Sequence, residues 1–242
     1  MSWNKLKSLT AAGSRGAIHL GLAIGLLSAG SAAQAAILAT WTYETSIPTT
    51  AGPHAPEVGA GSSTGSHAGA TTYSNPVGNG SVESFSSNNW LVGDYYQFQV
   101  STVGYTSINL SWDQTSSGTG PRDFALQYST NGTTFTNFGP DYMVVANASP
   151  NPFWNSTTYE AMYSFTRDLS SIPAIENAAT VYFRLTQTTT VSAAGGVVGS
   201  GGTDRVDNFS VIATAVPEPS SLLLVGLGLL GMVAVAKRRR AR

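Results

Sequence analysis

Apolar and polar residues alternate along several short runs of this chain. In DYYQFQV, the residues Tyr96, Phe98 and Val100 fall on one face. Successive side chains of a strand point to opposite faces of a sheet, so this spacing predicts a strand with one buried face. The same spacing recurs in three further runs, on Ile108, Leu110 and Trp112, on Phe124, Leu126 and Tyr128, and on Val181, Phe183 and Leu185. No run has the period of a long amphipathic helix, and the pattern predicts an all-β fold.

Turn-forming residues separate the predicted strands. Asn131–Gly132, in YSTNGTTF, predicts a hairpin with a type I′ turn, because both residues tolerate a positive φ. Residues 49–81 lack strand patterning and predict a long loop, and a second glycine-rich loop is predicted over 193–202. Strands at this spacing are typical of a two-sheet sandwich. We therefore predict one jelly-roll-like β-sandwich ectodomain over residues 36–214.

The first 35 residues have the three parts of a secretory signal peptide. A basic start is followed by a mostly apolar run from Ala17 to Gly30, and then by small residues at Ala33 and Ala35. Small residues at these two positions are typical of a cleavage site. We predict cleavage after Ala35 and export through the Sec translocon. The alternative is an uncleaved N-terminal anchor.

An apolar stretch followed by basic residues ends the chain. Leu222–Ala236 contains only apolar residues and glycine, and as a helix it spans about 22 Å against a hydrocarbon core of about 30 Å. Flanking serines and an outward-reaching lysine can extend such a helix, so we predict a single C-terminal transmembrane helix over 220–236. The basic tail over 237–242 places this end in the cytoplasm. Its membrane-stop residues are Lys237, Arg238, Arg239 and Arg240.

Four residues directly before this helix read Val216, Pro217, Glu218 and Pro219. The two prolines hold the segment extended, which suits the groove of a processing enzyme. The order of VPEP, apolar helix and arginine cluster over 215–242 resembles the PEP-CTERM protein-sorting signal of Gram-negative bacteria. This resemblance implies an exosortase as partner, an intermediate anchored in the inner membrane, and a final location at the cell surface or in the extracellular matrix. A plain single-pass anchor is the alternative, although an anchor needs no paired prolines at its outer edge.

Charge and cysteine content exclude several classes of protein. The formal net charge is −1, but all 13 acids lie between Glu44 and Glu218, where only four arginines and no lysine occur. An acidic surface repels phosphate backbones, so we expect no binding to nucleic acid. The chain has no cysteine, which excludes disulfides, thiolate metal sites and cysteine nucleophiles.

The first and last predicted strands, AILATWTYET and DRVDNFSVIA, are similar to those of extracellular jelly-roll modules of the carbohydrate-binding kind. Such modules commonly hold a structural calcium ion between these strands. The resemblance implies Glu44 and Asp207 as ligands, with Asp204 as a weaker candidate, and carboxylate oxygens suit Ca²⁺. The alternative is that Asp207 and Asn208 satisfy backbone groups at the entry of a strand.

The same resemblance implies that exposed aromatic rings bind sugars. Most aromatic residues of strands lie in the core, whereas Trp154 stands beside prolines in SPNPFWNSTT. We therefore predict Trp154 to be an exposed, ligand-binding ring in a loop.

Catalytic residues are hard to identify in this chain. His54 and His67 lie in the predicted glycine-rich loop and are expected to be exposed, and no GxSxG stretch is present. Acids for glycoside hydrolysis exist, among them Glu83, Asp94, Asp113 and Asp123, but the sequence does not bring them together. We predict a surface or matrix protein without enzymatic activity whose ectodomain binds exopolysaccharide or is structural. The alternative is a secreted hydrolase acting on polysaccharide.

Overall fold

The computed structural model of the protein describes residues 34–216 and 221–240. Most of the predicted signal peptide, including Ala33, lies outside these residues, as do Pro217, Glu218 and Pro219. The strands within the described residues are β1 (Ala35–Trp41), β2 (Val58–Gly59), β3 (Ser62–Ser66), β4 (Tyr73–Ser74), β5 (Phe85–Asn88), β6 (Tyr95–Val100), β7 (Tyr105–Ser116), β8 (Asp123–Ser129), β9 (Thr136–Asn137), β10 (Tyr142–Met143), β11 (Ser164–Asp168), β12 (Val181–Gln187) and β13 (Thr203–Ala215). The helical elements there are two 3-10 turns, Ala161–Tyr163 and Pro173–Ile175, and the helix α1 (Ser221–Arg240).

The strands form two antiparallel sheets. Sheet A has the order β11-β7-β13-β1-β2, with β5 paired to both β13 and β4. Sheet B has the order β10-β8-β12-β6-β3, with β9 also paired to β8. The inner faces of the two sheets pack on each other, and the predicted β-sandwich is confirmed.

Inward-facing aromatic side chains fill the space between the sheets. Trp41 and Phe209 of sheet A contact Phe98 of sheet B, and the Phe98 and Phe209 rings stack with centroids 3.4 Å apart. The predicted inward faces of β6, β7, β8 and β12 are all buried except for Tyr128, which is partly buried against the core. Each buried apolar side chain of this size contributes about 1.5–3 kcal/mol to folding.

The longest strand, β13, changes register at a β-bulge. The shift lies between Asp207 and Ser210, where Asn208 has a φ of 51°. Asparagine adopts this left-handed conformation more readily than most residues. The extra residue keeps Val206 and Phe209 in the core and leaves Asp207 on the outer face of sheet A.

Part of the predicted 49–81 loop is a strand of sheet B. The segment contains β2, β3 and β4, and β3 pairs with β6 along its whole length. The inward residues of β3 are Ser63 and Gly65, and a side chain at Gly65 would come within 2.4 Å of the Tyr73 ring. Without a large apolar residue, this strand shows no hydrophobic alternation, which is why its pattern predicts a loop.

The C-terminal segment is helical as predicted, over α1. Among residues 34–216 and 221–240, no helix has both the length and the apolar character required to cross a membrane. The membrane span predicted over 220–236 is therefore not found. Its apolar part is short, since basic residues take up the last turn of α1, from Lys237 to Arg240.

Candidate functional site

The outer face of sheet B carries a row of polar side chains across five strands. It consists of Asn137 on β9, Gln127 on β8, Arg184 on β12, Gln97 on β6 and Thr64 on β3, each aligned with its neighbour by strand register. We call these five residues the amide row. At 4.7–4.9 Å between strands, the row is about 19 Å long. All five side chains are exposed or half-buried, so the row is open to solvent.

Arg184, at the centre of the amide row, lies between two aromatic rings. Its Cζ is 3.7 Å from the centroid of Tyr95 and 3.5 Å from that of Phe135. Its Nε donates a hydrogen bond to Oε1 of Gln97 at 2.9 Å. Partial burial lowers the pKa of Arg184, but an arginine in a protein stays protonated. The two rings and Gln97 thus fix the position of a cation on this face.

Neighbouring contacts also orient the other amides of the row. Nε2 of Gln127 donates to Oδ1 of Asn137 at 2.9 Å, and the Thr186 hydroxyl donates to Oε1 of Gln127 at 3.0 Å. Each amide carries two N–H donors and a carbonyl acceptor. Because only some of these are used within the row, donors and acceptors remain for a ligand that can do both, such as a sugar hydroxyl.

The loop between β8 and β9 borders one side of the row. It supplies Phe135, and its Gly132 lies against Tyr182, where a Cβ would come within 3.0 Å of the ring. A side chain at Gly132 would therefore displace an aromatic ring of the face.

The same loop closes the predicted hairpin, since β8 and β9 pair antiparallel, but its turn is not of type I′. Only Gly132 has a positive φ, of 72°. The Asn131 side chain instead accepts hydrogen bonds from the backbone N–H groups of Thr133 and Thr134, each at 2.9 Å. This side-chain turn replaces the left-handed backbone conformation that a type I′ turn requires at asparagine.

Few charges lie on the outer face of sheet B. Arg184 is the only charged residue at the outward positions of β3, β6 and β12. On β8 the outward charge is Asp123, and Nε of Arg122 donates to its carboxylate at 2.8 Å. This contact lowers the pKa of Asp123. The exposed Asp141 precedes β10 at the edge of the sheet.

The outer face of sheet A instead buries two aspartates. Asp113 on β7 lies opposite Asp207 on β13, and both are buried. Nδ2 of Asn208 donates to both carboxylates, at 2.8 Å and 3.1 Å. The backbone N–H of Asn79 and the hydroxyl of Ser81 also donate to Asp207, at 3.0 Å and 2.6 Å. We call Asp113, Asp207 and Asn208 the aspartate cluster; it fastens the loop before β5 onto sheet A.

Burial raises the pKa of both acids in the aspartate cluster. The pKa of Asp207 rises to about 7, although hydrogen bonds from Ser81, Asn79 and Asn208 act in the opposite direction. Burial also raises the pKa of Asp113, against hydrogen bonds from Ser164 and Asn208. A folded-state pKa above the unfolded value means that the folded protein holds the proton more tightly. The contribution of Asp207 to the free energy of unfolding is therefore fully present below about pH 3.9 and is lost as the pH rises through about 7.

The three predicted calcium ligands do not meet. Asp204 lies on the core side of sheet A, where its carboxylate accepts hydrogen bonds from Nε2 of Gln114 at 3.0 Å and from the Ser116 hydroxyl at 2.8 Å. Burial raises the pKa of Asp204 well above its usual range. Asp207 points to the opposite face of the same sheet, since residues three apart on a strand alternate sides.

Glu44 lies beyond the end of β1 and is exposed. Its Oε1 accepts hydrogen bonds from the backbone N–H groups of Val82 and Glu83, at 2.8 Å and 3.0 Å. Within the described ranges, no three His, Cys, Asp or Glu side chains converge as a metal site. Calcium needs the oxygen lone pairs that N–H and O–H donors occupy at Asp204 and Asp207, so these residues do not fit a shared calcium site.

The side chains of His54 and His67 are buried, and the prediction that they are exposed is wrong. His54 is 8% exposed, and its Nε2 lies 3.0 Å from the Thr50 carbonyl. The His67 side chain is 1% exposed; its Nδ1 lies 3.0 Å from Oδ2 of Asp94, and its Nε2 lies 3.0 Å from the Ser87 hydroxyl. Burial lowers the pKa of His67, although Asp94 acts to raise it.

Ser87, His67 and Asp94 are the residue types of a nucleophile, base and acid triad. Ser87 and Asp94 are only 1% and 2% exposed, so a polysaccharide cannot reach the serine. The Asp94 carboxylate also accepts backbone N–H groups of Ala68 and Leu91, each at 2.7 Å. The arrangement therefore joins the segments before β4 and β6, and its role is structural.

The candidate acids for hydrolysis are spread over separate networks. Their partners in the described residues are Asn75 for Glu83, His67 for Asp94, Ser164 and Asn208 for Asp113, and Arg122 and Thr189 for Asp123. No two of these four acids share a partner.

Trp154 is buried, and the prediction of an exposed ring is wrong. It is 3% exposed, its Nε1 donates to the Val77 carbonyl at 2.6 Å, and its ring packs edge-on against Tyr163. The hydrophobic pattern does not indicate the amide row, because that pattern identifies the inward positions of each strand. Gln97, Arg184 and Gln127 stand at the outward positions of the same predicted strands.

The end of the chain matches a known sorting signal. Residues 215–240 match the PEP-CTERM protein-sorting motif, which confirms the resemblance seen in the sequence. The chain therefore carries a PEP-CTERM motif, beginning at the last residue of β13. A comparison with curated proteins gives no match.

Similar solved structures include adhesin and carbohydrate-binding domains. The K2 cleaved adhesin domain of Lys-gingipain is 14% identical with a TM-score of 0.42, over 71% of this chain and 96% of that one. The CBM22-1-GH10 modules of xylanase 10B from Clostridium thermocellum, complexed with xylohexaose, are 13% identical with a TM-score of 0.45, and the match covers 76% of this chain but 30% of that one. A family 35 carbohydrate-binding module from Clostridium thermocellum is 17% identical with a TM-score of 0.32, over 74% and 98%.

Proposed function

We propose that this protein is exported, sorted through its C-terminal motif, and binds extracellular polysaccharide on the outer face of sheet B without catalysing a reaction. The amide row, with Arg184 held between Tyr95 and Phe135, is the observation that supports binding. A row of polar side chains crossing five strands, three of them amides, suits an extended chain of sugars, whose hydroxyls both donate and accept hydrogen bonds. A shallow, open face suits a long polymer better than a small molecule, which binds in a concave pocket.

Affinity gel electrophoresis of the full chain tests the binding site. We expect at least one soluble polysaccharide in the gel to retard the wild type. The double variant Gln97→Ala and Gln127→Ala should bind about 10–100-fold more weakly, a loss of about 1.4–2.8 kcal/mol. Asn109→Ala is the matched control, because Asn109 is an outward amide of β7 in sheet A. Equal retardation of the double variant and the wild type would place binding elsewhere.

The PEP-CTERM motif supports the second part of the proposal, sorting by an exosortase at the inner membrane after export by Sec. Mass spectrometry of the mature protein from its native host tests this part. We expect its last residue to lie near Pro217–Pro219, and the variant Pro217→Ala with Pro219→Ala should retain its tail. An intact C-terminal peptide on the mature wild type would contradict processing.

A further inference from the structure

Arg184 gives the proposed binding face a chemical preference, an inference that rests on the proposed function. We propose that the polysaccharide bound there is acidic, and that the guanidinium of Arg184 binds the carboxylates of its uronate sugars. Three features of the described residues support this assignment: the free donors of Arg184, its fixed position, and the location of the acids.

The first feature is that Arg184 has donors to spare. Its Nε bonds to Gln97, while its two Nη groups make no hydrogen bond within residues 34–216 and 221–240. No carboxylate in that part of the chain forms an ion pair with it, in contrast to Arg122, which pairs with Asp123. A planar guanidinium with both Nη groups free matches the two oxygens of a carboxylate.

The second feature is that the cation is held in place before any ligand arrives. Rings at 3.5 Å and 3.7 Å from Cζ leave the guanidinium plane little freedom. Ordering an arginine side chain costs free energy on binding, and here the protein has already ordered it. The rings also reduce its hydration, which strengthens its attraction for an anion.

The third feature is the separation of charge between the two sheets. Most acids of the sandwich belong to strands of sheet A or to loops bonded to them: Glu44, Glu57, Glu83, Asp113, Glu160, Asp168, Glu176, Asp204 and Asp207. On the side of sheet B, Asp94 contacts His67, Asp123 contacts Arg122, and the exposed Asp141 lies at the edge of the sheet, before β10. Exposed charges farther away than about 8–10 Å are largely screened at physiological salt. An acidic domain can therefore bind an anion at Arg184.

Affinity gel electrophoresis with polygalacturonate and its carboxyl-reduced form tests the inference, because the two polymers differ only in the uronate carboxylate. We expect the wild-type full chain to bind the acidic polymer at least tenfold more tightly, and salt to weaken only that binding. Arg184→Gln should remove the preference, and Arg184→Lys should restore part of it. Arg167→Gln is the matched control, since Arg167 also lies near aromatic rings and without an ion pair among the described residues, but on β11 of sheet A.

Two results would overturn the inference, and they separate it from the proposed function. If both polymers bind equally and Arg184→Gln weakens both alike, the face binds polysaccharide without a preference for the uronate carboxylate. If neither these polymers nor any neutral polysaccharide retards the wild type, the proposed function fails as well. Circular dichroism of each variant shows whether its fold is intact, and Arg184→Lys keeps the test valid if Arg184→Gln is unstable.

Discussion

The outer faces of the two sheets differ in whether their charged side chains are buried by the protein or open to solvent. Sheet A buries Asp113 and Asp207 beneath a loop, and hydrogen-bond donors of the protein surround both carboxylates. Sheet B leaves its amide row open and presents Arg184 with free donors. A buried carboxyl group whose hydrogen-bond partners are all supplied by the protein holds parts of the fold together, whereas a cation with free donors is available to a ligand. We therefore expect the outer face of sheet A to contribute to stability and the outer face of sheet B to bind a ligand.

The largest expected effect is on the sheet A side. Asp207→Ala should lower the free energy of unfolding by about 2–4 kcal/mol, because it leaves the buried N–H of Asn79 and the partly buried N–H of Asn208 without an acceptor. Arg184→Gln, at a half-exposed position, should cost less than about 1 kcal/mol. Urea denaturation of both variants measures the difference, and equal losses would contradict the division of roles.

The pH dependence of stability should be of similar size. Because burial raises the pKa of Asp207 to about 7, the wild type should lose on the order of 2–4 kcal/mol from this group as the pH rises from about 4 to 8. In Asp207→Asn the group cannot titrate, so the decline with pH should be smaller. Urea denaturation across this range tests the difference, and parallel curves for the two proteins would disprove the assignment.

A smaller effect is expected at the aromatic clamp of sheet B. Phe135→Ala should weaken polysaccharide binding about tenfold, or about 1.4 kcal/mol, because it releases the guanidinium of Arg184. Phe153→Ala is the control, since Phe153 is an exposed phenylalanine that is not one of the two rings at Arg184. Isothermal titration gives both affinities, and equal losses in the two variants would argue against a specific clamp.

No effect is expected from removing calcium. Donors of the protein already occupy the carboxylate oxygens of Asp204 and Asp207, so a chelator should leave the Tm unchanged. Thermal denaturation with and without EDTA checks this. If EDTA lowers the Tm of the wild type but not that of Asp207→Ala, calcium does bind at this carboxylate.

The sequence predicted the sandwich well wherever strands have large apolar residues. Tyr96, Phe98 and Val100 all point into the core as their spacing indicates. The strand β3 was missed because its inward residues, Ser63 and Gly65, are too small to show a pattern. Hydrophobic periodicity is visible only where the buried side chains are large and apolar, so it does not indicate a strand that packs through small residues.

The candidate site was predicted less well, for two physical reasons. Trp154 and His67 stand near prolines and glycines that predict loops, yet both side chains are buried. A loop can fold back over a sheet and bury its own side chains there. Three residues of the amide row, Gln97, Arg184 and Gln127, come from three different strands, and only the register between strands brings them together. Register depends on tertiary packing, which a single sequence does not display.

Nuclear magnetic resonance of the side-chain N–H groups tests the central claim most directly. On addition of a bound polysaccharide, the side-chain signals of Gln97, Gln127 and Arg184 should shift, while those of Asn79, in the loop over sheet A, and of Asn208, beneath that loop, should stay in place. Shifts confined to Asn79 and Asn208, or binding without any shift on sheet B, would contradict the account.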